Sequence, residues 1–216
     1  MPGDAFAARV RAALGRHPDQ PPAPAPPARL VVPPGDGGDP AARLCAAVEA
    51  LSGKTYRAGG PDEARAAVAE ILGGRGAVAS GSPYLRECGI PALPGVRSGV
   101  TDPEELRELC ATLDAGITSA DYALADTGTL VLFSSAAEAR MISLLPPAHI
   151  AVVPRGRILS GLDELFSLVP LPADRSSAMV LITGPSRTAD IEQILVRGVH
   201  GPGEFHVVVV DGPGGS

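Results

Sequence analysis

The chain has 216 residues, 45% of them hydrophobic, and a net charge of −6; that length buries a full core and suits one α/β domain with an appendage. No block of Lys and Arg forms a stripe along which a nucleic-acid backbone would run, so nucleic acid is excluded as a partner. No apolar run reaches the length of a membrane span and the amino terminus lacks the apolar core of a signal peptide, which together predict a cytoplasmic protein.

From the amino terminus, Phe6, Val10, Ala13 and Leu14 share one face of a short amphipathic helix over residues 1–16. Proline and glycine crowd residues 17–40, which read as an extended linker, and a compact domain follows over 41–216. Asp39-Pro40 is a helix-start pair, with Leu44, Val48 and Leu51 at helical spacing behind it. A short strand follows at Thr55–Ala58. Pro61 then opens a second helix that Gly73-Gly74 stops, and Gly76–Ser80 is the strand expected after it. Pro83–Cys88 supplies a single helical turn, and the Gly, Pro and Ser that dominate as far as Thr101 read as loop.

Thr101 or Asp102 caps the next helix, whose buried face is Leu106, Leu109, Cys110 and Leu113. Asp126-Thr127-Gly128 separates two apolar stretches and signals a hairpin or tight corner. In one reading Gly128 supplies a positive φ and Asp126 satisfies turn amides; in the other, the corner exposes a carboxylate and two hydroxyls beside a ligand. Ser134 or Ser135 starts a helix running to Ile142. His149–Val153 is a buried strand, and Leu162, Leu165, Phe166 and Val169 mark a further helix.

The carboxyl-terminal part reads as strand Ala178–Ile182, turn Gly184–Thr188, helix Ala189–Val196 and strand Phe205–Val210, one crossover unit of a parallel sheet. A turn at the carboxyl end of such a strand is where ligands sit. Free N–H groups of the following helix, two hydroxyls and the fork of Arg187 would hold an anion there. Capping of the helix by Ser186 or Thr188, with Arg187 paired to a carboxylate, accounts for the same residues.

Cys45, Cys88 and Cys110 are far apart and form no Cys-x-x-Cys pair, and His17, His149, His200 and His206 lack the four-residue spacing of two ligands on one helix face. The thiols are expected to be buried and free, with no metal held by this chain.

Three ordered motifs carry a resemblance. They are Ala125-Asp126-Thr127-Gly128-Thr129; Ser143-Leu144-Leu145-Pro146 with His149-Ile150; and Gly184-Pro185-Ser186-Arg187-Thr188-Ala189-Asp190-Ile191-Glu192 followed by Gly198-Val199-His200-Gly201-Pro202. The chain resembles the LUD-domain family, lactate-utilisation protein C, over most of its second half. The resemblance implies an open, mainly parallel α/β sheet flanked by helices, similar to the NagB, ribose-5-phosphate isomerase and CoA-transferase group. It also implies an accessory role in oxidising L-lactate to pyruvate beside two partner subunits that bear iron–sulfur clusters, this chain binding no cofactor itself.

Carried over by motif, Asp126, Thr127, Gly128 and Thr129 form one wall of a small-anion pocket and Gly184, Ser186, Arg187, Thr188 and Asp190 another, with His200 and Gly201 beginning the loop after the last helix. Arg187 would pair the anion and His200 would exchange a proton. Two further functions fit the same residues: a stand-alone isomerase or transferase acting on a phosphorylated or CoA-linked small molecule, and a binding protein that senses a carboxylate.

Overall fold

The structure is a computed structural model that describes residues 2–15, 38–189 and 195–212. The chain divides into two units, residues 1–31 and 32–216. In the first, α1 (Pro2–Ala13) is the expected amino-terminal helix, with Phe6, Val10 and Leu14 exposed. The expected linker lies outside the described residues as far as residue 37.

The second unit begins with α2 (Pro40–Ala50), β1 (Lys54–Ala58), α3 (Pro61–Leu72), β2 (Ala77–Ala79), α4 (Pro83–Glu87) and β3 (Val96–Ser98). It continues with α5 (Pro103–Thr112), β4 (Ala115–Ser119), the hairpin of β5 (Tyr122–Leu124) and β6 (Thr129–Phe133), α6 (Met141–Leu144) and β7 (Ala148–Pro154). After these come β8 (Ile158–Leu159), α7 (Leu162–Leu168), α8 (Pro172–Arg175), β9 (Met179–Ile182), β10 (Arg187–Ala189), β11 (Leu195–Arg197) and β12 (Glu204–Val210).

Six strands form an open sheet in the order β1-β12-β7-β4-β2-β3, and each neighbouring pair is parallel. Four more form a second sheet, β8-β5-β6-β9. The α/β class read from the sequence is therefore the one observed. Strands buried on both faces read as continuous apolar runs, and β12 shows why. Val208 and Val210 pack with Val68 of α3 and Leu85 of α4, whereas Val207 and Val209 pack with Leu44 and Val48 of α2 and with the second sheet. All four valines are fully buried, each worth about 1.5–3 kcal/mol relative to exposure.

The caps agree with the sequence. Asp39 accepts from the Ala41 amide at 3.1 Å, Asp102 from the Glu105 amide at 2.8 Å, and Gly73 closes α3 in the left-handed region. Around Asp39, Arg57 and Arg155 bridge to Asp211, tying the start of α2 to the carboxyl ends of β1, β7 and β12. Cys88 and Cys110 are buried, and burial pushes both thiols up to about 11. His149, buried beneath Phe205, accepts or donates at Thr118 Oγ1 (2.9 Å), and burial pushes its pKa down to about 3 so that it is neutral.

Three expectations are corrected. First, β9 does not belong to a crossover unit with β12: it pairs antiparallel with β6 at the edge of the second sheet. Second, the helix expected over Ala189–Val196 is replaced at both ends by strands, since β10 and β11 pair antiparallel in register Arg187 to Arg197; residues 190–194 lie outside the described residues. Third, no helix runs from Ser135. Its hydroxyl accepts from the Ala137 and Glu138 amides at 3.2 and 3.1 Å, closing a turn, and helix resumes only at Met141.

Candidate functional site at the reversal between β2 and β4

The direction of the main sheet reverses beside its shortest connections. After β2 the chain steps outward to β3, and after β4 it steps the other way, to β7 and then β12. Strand ends diverge at such a point, and ligands of open α/β sheets bind in the crevice beyond the carboxyl ends there. A cavity of about 330 Å³ lies at this place, lined among others by Ser82, Tyr84, Ser119, Asp121, Glu138, Arg157 and Arg175. That volume falls within the range of small-molecule sites.

Local pairing explains how each side chain arrives. The Ser80 amide donates to the Ile117 carbonyl and so prolongs β2 along β4, and the Ala120 amide donates to Val152 and prolongs β4 along β7. Ser82 and Ser119 are thereby brought side by side, their hydroxyls 2.6 Å apart. Glu138 comes from the turn that Ser135 closes. The Gly81 amide donates to the Ala137 carbonyl at 2.7 Å and pins that turn over the end of β2, leaving Glu138 Oε1 3.4 Å from the Ser119 hydroxyl.

Burial is the main cause that pushes the half-buried Glu138 carboxyl up to about 7; the Ser80 hydroxyl opposes it, the Asp121 charge adds to it, and Ser82 and Ser119 oppose it. Ser80 Oγ and Tyr84 Oη are buried without a hydrogen-bond partner within 3.5 Å, although Ser80 lies close enough to favour the Glu138 carboxylate. Burial also pushes the Tyr84 phenol up, which keeps it a hydrogen-bond donor.

Asp121 arranges the cationic side. One carboxylate oxygen accepts from the Phe133 amide at 2.7 Å and the other from Arg175 at 3.3 Å, while its carbonyl accepts from Arg157 at 3.3 Å. Arg175 also donates to Tyr122 Oη at 3.2 Å and lies 4.4 Å from the centre of the Phe133 ring. Each guanidinium carries five donors, so these bonds leave N–H groups for a ligand. The arrangement offers cationic donors, hydroxyls and a carboxyl group able to change its charge near neutral pH.

The residues singled out from sequence lie at the other end of the sheet. Asp126 and Thr127 are exposed, and a chain of hydroxyls runs from Asp126 through Thr127 and Thr129 to Thr183, with the last two links 2.8 Å each. The Asp126–Thr129 corner thus meets Thr183 in a bonded seam against the carboxyl end of α2. Gly128 has φ +67, and a Cβ there would lie 2.7 Å from the Val48 nitrogen; Gly184 packs against Leu51.

Arg187 donates to the Leu51 carbonyl and, at 3.3 Å, to Ser52 Oγ, next to the turn that leads into the amino end of β1. The Ser186 amide donates to Pro202 at 2.8 Å, and Gly201 packs against Ser186, close to the amino ends of β7 and β12. Thr188 lies in β10, His200 is exposed, and Asp190 falls outside the described residues. Ala189, expected to begin a helix, lies in β10.

Sequence reasoning missed Ser80, Ser82, Ser119, Asp121, Glu138, Arg157 and Arg175 as a group. The available signal was a polar residue directly after each apolar strand run, Ser80 and Ser82 after β2 and Ser119 and Asp121 after β4. Among the described residues, no group of three or more His, Cys, Asp or Glu is placed to hold a metal ion.

Residues 41–210 match the LUD domain. The chain belongs to the LUD domain family. Lactate utilization protein C of Halalkalibacterium halodurans is 40% identical over 115 residues, covering 51% of this chain and 50% of that protein. Lactate utilization protein C 1 of Bacillus mycoides is 39% identical over 121 residues, covering 52% and 50%. This LUD chain spans about half the length of the curated relatives it matches. A crystal structure of a DUF162 family protein from Deinococcus radiodurans shares the LUD fold at a TM-score of 0.60 and 20% identity, covering 80% of this chain and 96% of that one. No helix among the described residues is long and apolar enough to cross a membrane.

Proposed function

We propose that this LUD chain serves lactate utilisation as an accessory subunit of a system that oxidises L-lactate to pyruvate, with the iron–sulfur clusters carried by two partner subunits. The similarity to proteins named lactate utilization protein C carries the lactate assignment. Within the chain, the cavity between β2 and β4 is assigned as the small-anion pocket, because Arg157 and Arg175 line it together with the hydroxyls of Ser82, Tyr84 and Ser119. Guanidinium groups suit a planar carboxylate through paired N–H donors.

Affinity purification of the chain from its own cells grown on L-lactate tests the subunit role. Co-recovery of two cysteine-rich proteins with iron–sulfur absorbance is the expected result; recovery of the chain alone, under conditions that preserve complexes, overturns it. A second reading draws on Glu138, whose carboxyl is poised for acid–base work: a stand-alone isomerase or transferase on a phosphorylated or CoA-linked small molecule. Turnover of sugar phosphates or acyl-CoA esters by the purified chain would favour it.

A further inference from the structure

Resting on the pocket assigned above, we propose that it takes a 2-hydroxy- or 2-oxo-monocarboxylate, carboxylate against Arg157 and Arg175 and C2 oxygen against the Ser82–Ser119–Glu138 cluster, and that binding loads a solvent proton onto Glu138. Two bonded groups of side chains line the cavity. Asp121 holds both guanidinium groups, and Ser82 and Ser119, 2.6 Å apart, stand with Glu138. Carboxylate and C2 oxygen of such an acid are adjacent functions on a small molecule, so one ligand offers an acceptor to each group. Tyr84, on the cavity lining, has a buried hydroxyl without a hydrogen-bond partner within 3.5 Å, which is the state of a polar group that awaits a ligand.

The proton follows from charge. An anion brought beside an ionised Glu138 is repelled, whereas a protonated carboxyl donates a hydrogen bond to the C2 oxygen or to a serine that does. The charged and titratable groups facing Glu138 come from every neighbouring element: Asp121 after β4, Tyr84 and Glu87 of α4, Arg157 after β7 and Arg175 of α8. Asp121 is already engaged by Arg175, and Tyr84 stays neutral, so Glu138 is the group that answers the ligand. Its carboxyl, pushed up to about 7, sits where a modest added charge changes its proton occupancy at neutral pH.

Calorimetry of the full chain with L-lactate, pyruvate and propionate, in two buffers of unlike ionisation enthalpy between pH 5.5 and 8, reads both parts. The expected result is uptake of a fraction of a proton at pH 7.5 and none at pH 5.5, an affinity for lactate and pyruvate that falls about tenfold from pH 6 to pH 8, and propionate about tenfold weaker than lactate. Glu138→Gln keeps the side chain's shape without its charge, so its affinity should be independent of pH with no proton uptake. Binding with zero proton uptake, or the same pH profile in Glu138→Gln, overturns the inference while leaving the pocket in place. Equal binding of propionate and lactate overturns the orientation. No heat with any probe overturns the pocket itself and this inference with it.

Discussion

Replacing Glu138 by Gln provides a test that needs no ligand. The carboxyl titrates at about 7 in the folded chain against an ordinary 4.5. Folded protein therefore holds this proton more tightly than unfolded protein, so Glu138 costs nothing below about pH 4.5, and its cost grows between about pH 4.5 and 7 and is constant above that. At 1.36 kcal/mol for each tenfold change in proton affinity the full difference is ~3 kcal/mol, and partial solvent contact brings it to about 2–3 kcal/mol. Gln carries no charge at any of these pH values and retains a hydrogen bond to Ser119. Urea unfolding of both proteins from pH 4.5 to 8.5 should give a stability difference, variant minus wild type, that grows by about 2–3 kcal/mol towards high pH. In thermal scans the same growth is about 5–10 °C in Tm, at roughly 2–4 °C per kcal/mol for a domain of this size. Other carboxylates titrate alike in both proteins and cancel. A difference that stays constant across the range refutes a desolvated Glu138.

Two other substitutions separate packing from function. At Gly116 an added Cβ would lie 1.7 Å from the Ile142 carbonyl oxygen, with backbone on both sides of the contact; Gly116→Ala should cost at least about 3 kcal/mol in urea unfolding or abolish folding, and a loss under about 1 kcal/mol would deny the close approach of α6 to β4. Arg187→Ala removes a guanidinium from the carboxyl end of α2, so chemical denaturation should show a loss of about 0.5–1 kcal/mol while the affinity for pyruvate in calorimetry stays within twofold; a tenfold loss of affinity would return the pocket to the Thr183–Thr188 segment.

Much of the element order is legible in the sequence because caps and periodicity are local. Asp39-Pro40, Asp102-Pro103 and Gly73-Gly74 mark helix ends through backbone chemistry that operates without neighbours. What is not local was misread. The runs 179–182 and 204–210 are both apolar, yet β12 is the buried neighbour of β1 and β7, whereas β9 is a half-exposed edge against β6. Ile191, Ile194 and Leu195 have helical spacing, but the flanking residues Arg187–Ala189 and Leu195–Arg197 pair as antiparallel strands. Likewise β3 hides among glycine and proline because an edge strand of three residues needs no apolar run.

The site was harder to read than the fold for a related reason. Ser82, Ser119 and Glu138 are separated by 37 and 19 residues and meet because β2 and β4 are neighbours in a sheet whose strand order the sequence does not display. Glu138 falls within the run read from sequence as a helix from Ser134 or Ser135 to Ile142. The Ser135 turn and its bond to Gly81 are what carry it over the cavity. Asp126 to Thr129 and Gly184 to Arg187, by contrast, are conspicuous in sequence because close approach to α2 demands glycines and hydroxyls there.

Two-dimensional NMR of isotopically labelled chain titrated with pyruvate at pH 6.5 discriminates directly between the two ends of the sheet. Amide shifts centred on Ser82, Ser119 to Asp121 and Glu138, with Asp126 to Thr129 and Gly184 to Gly201 unmoved, are the predicted result. Shifts confined to the latter residues, with the crevice between β2 and β4 silent, would contradict the site assignment.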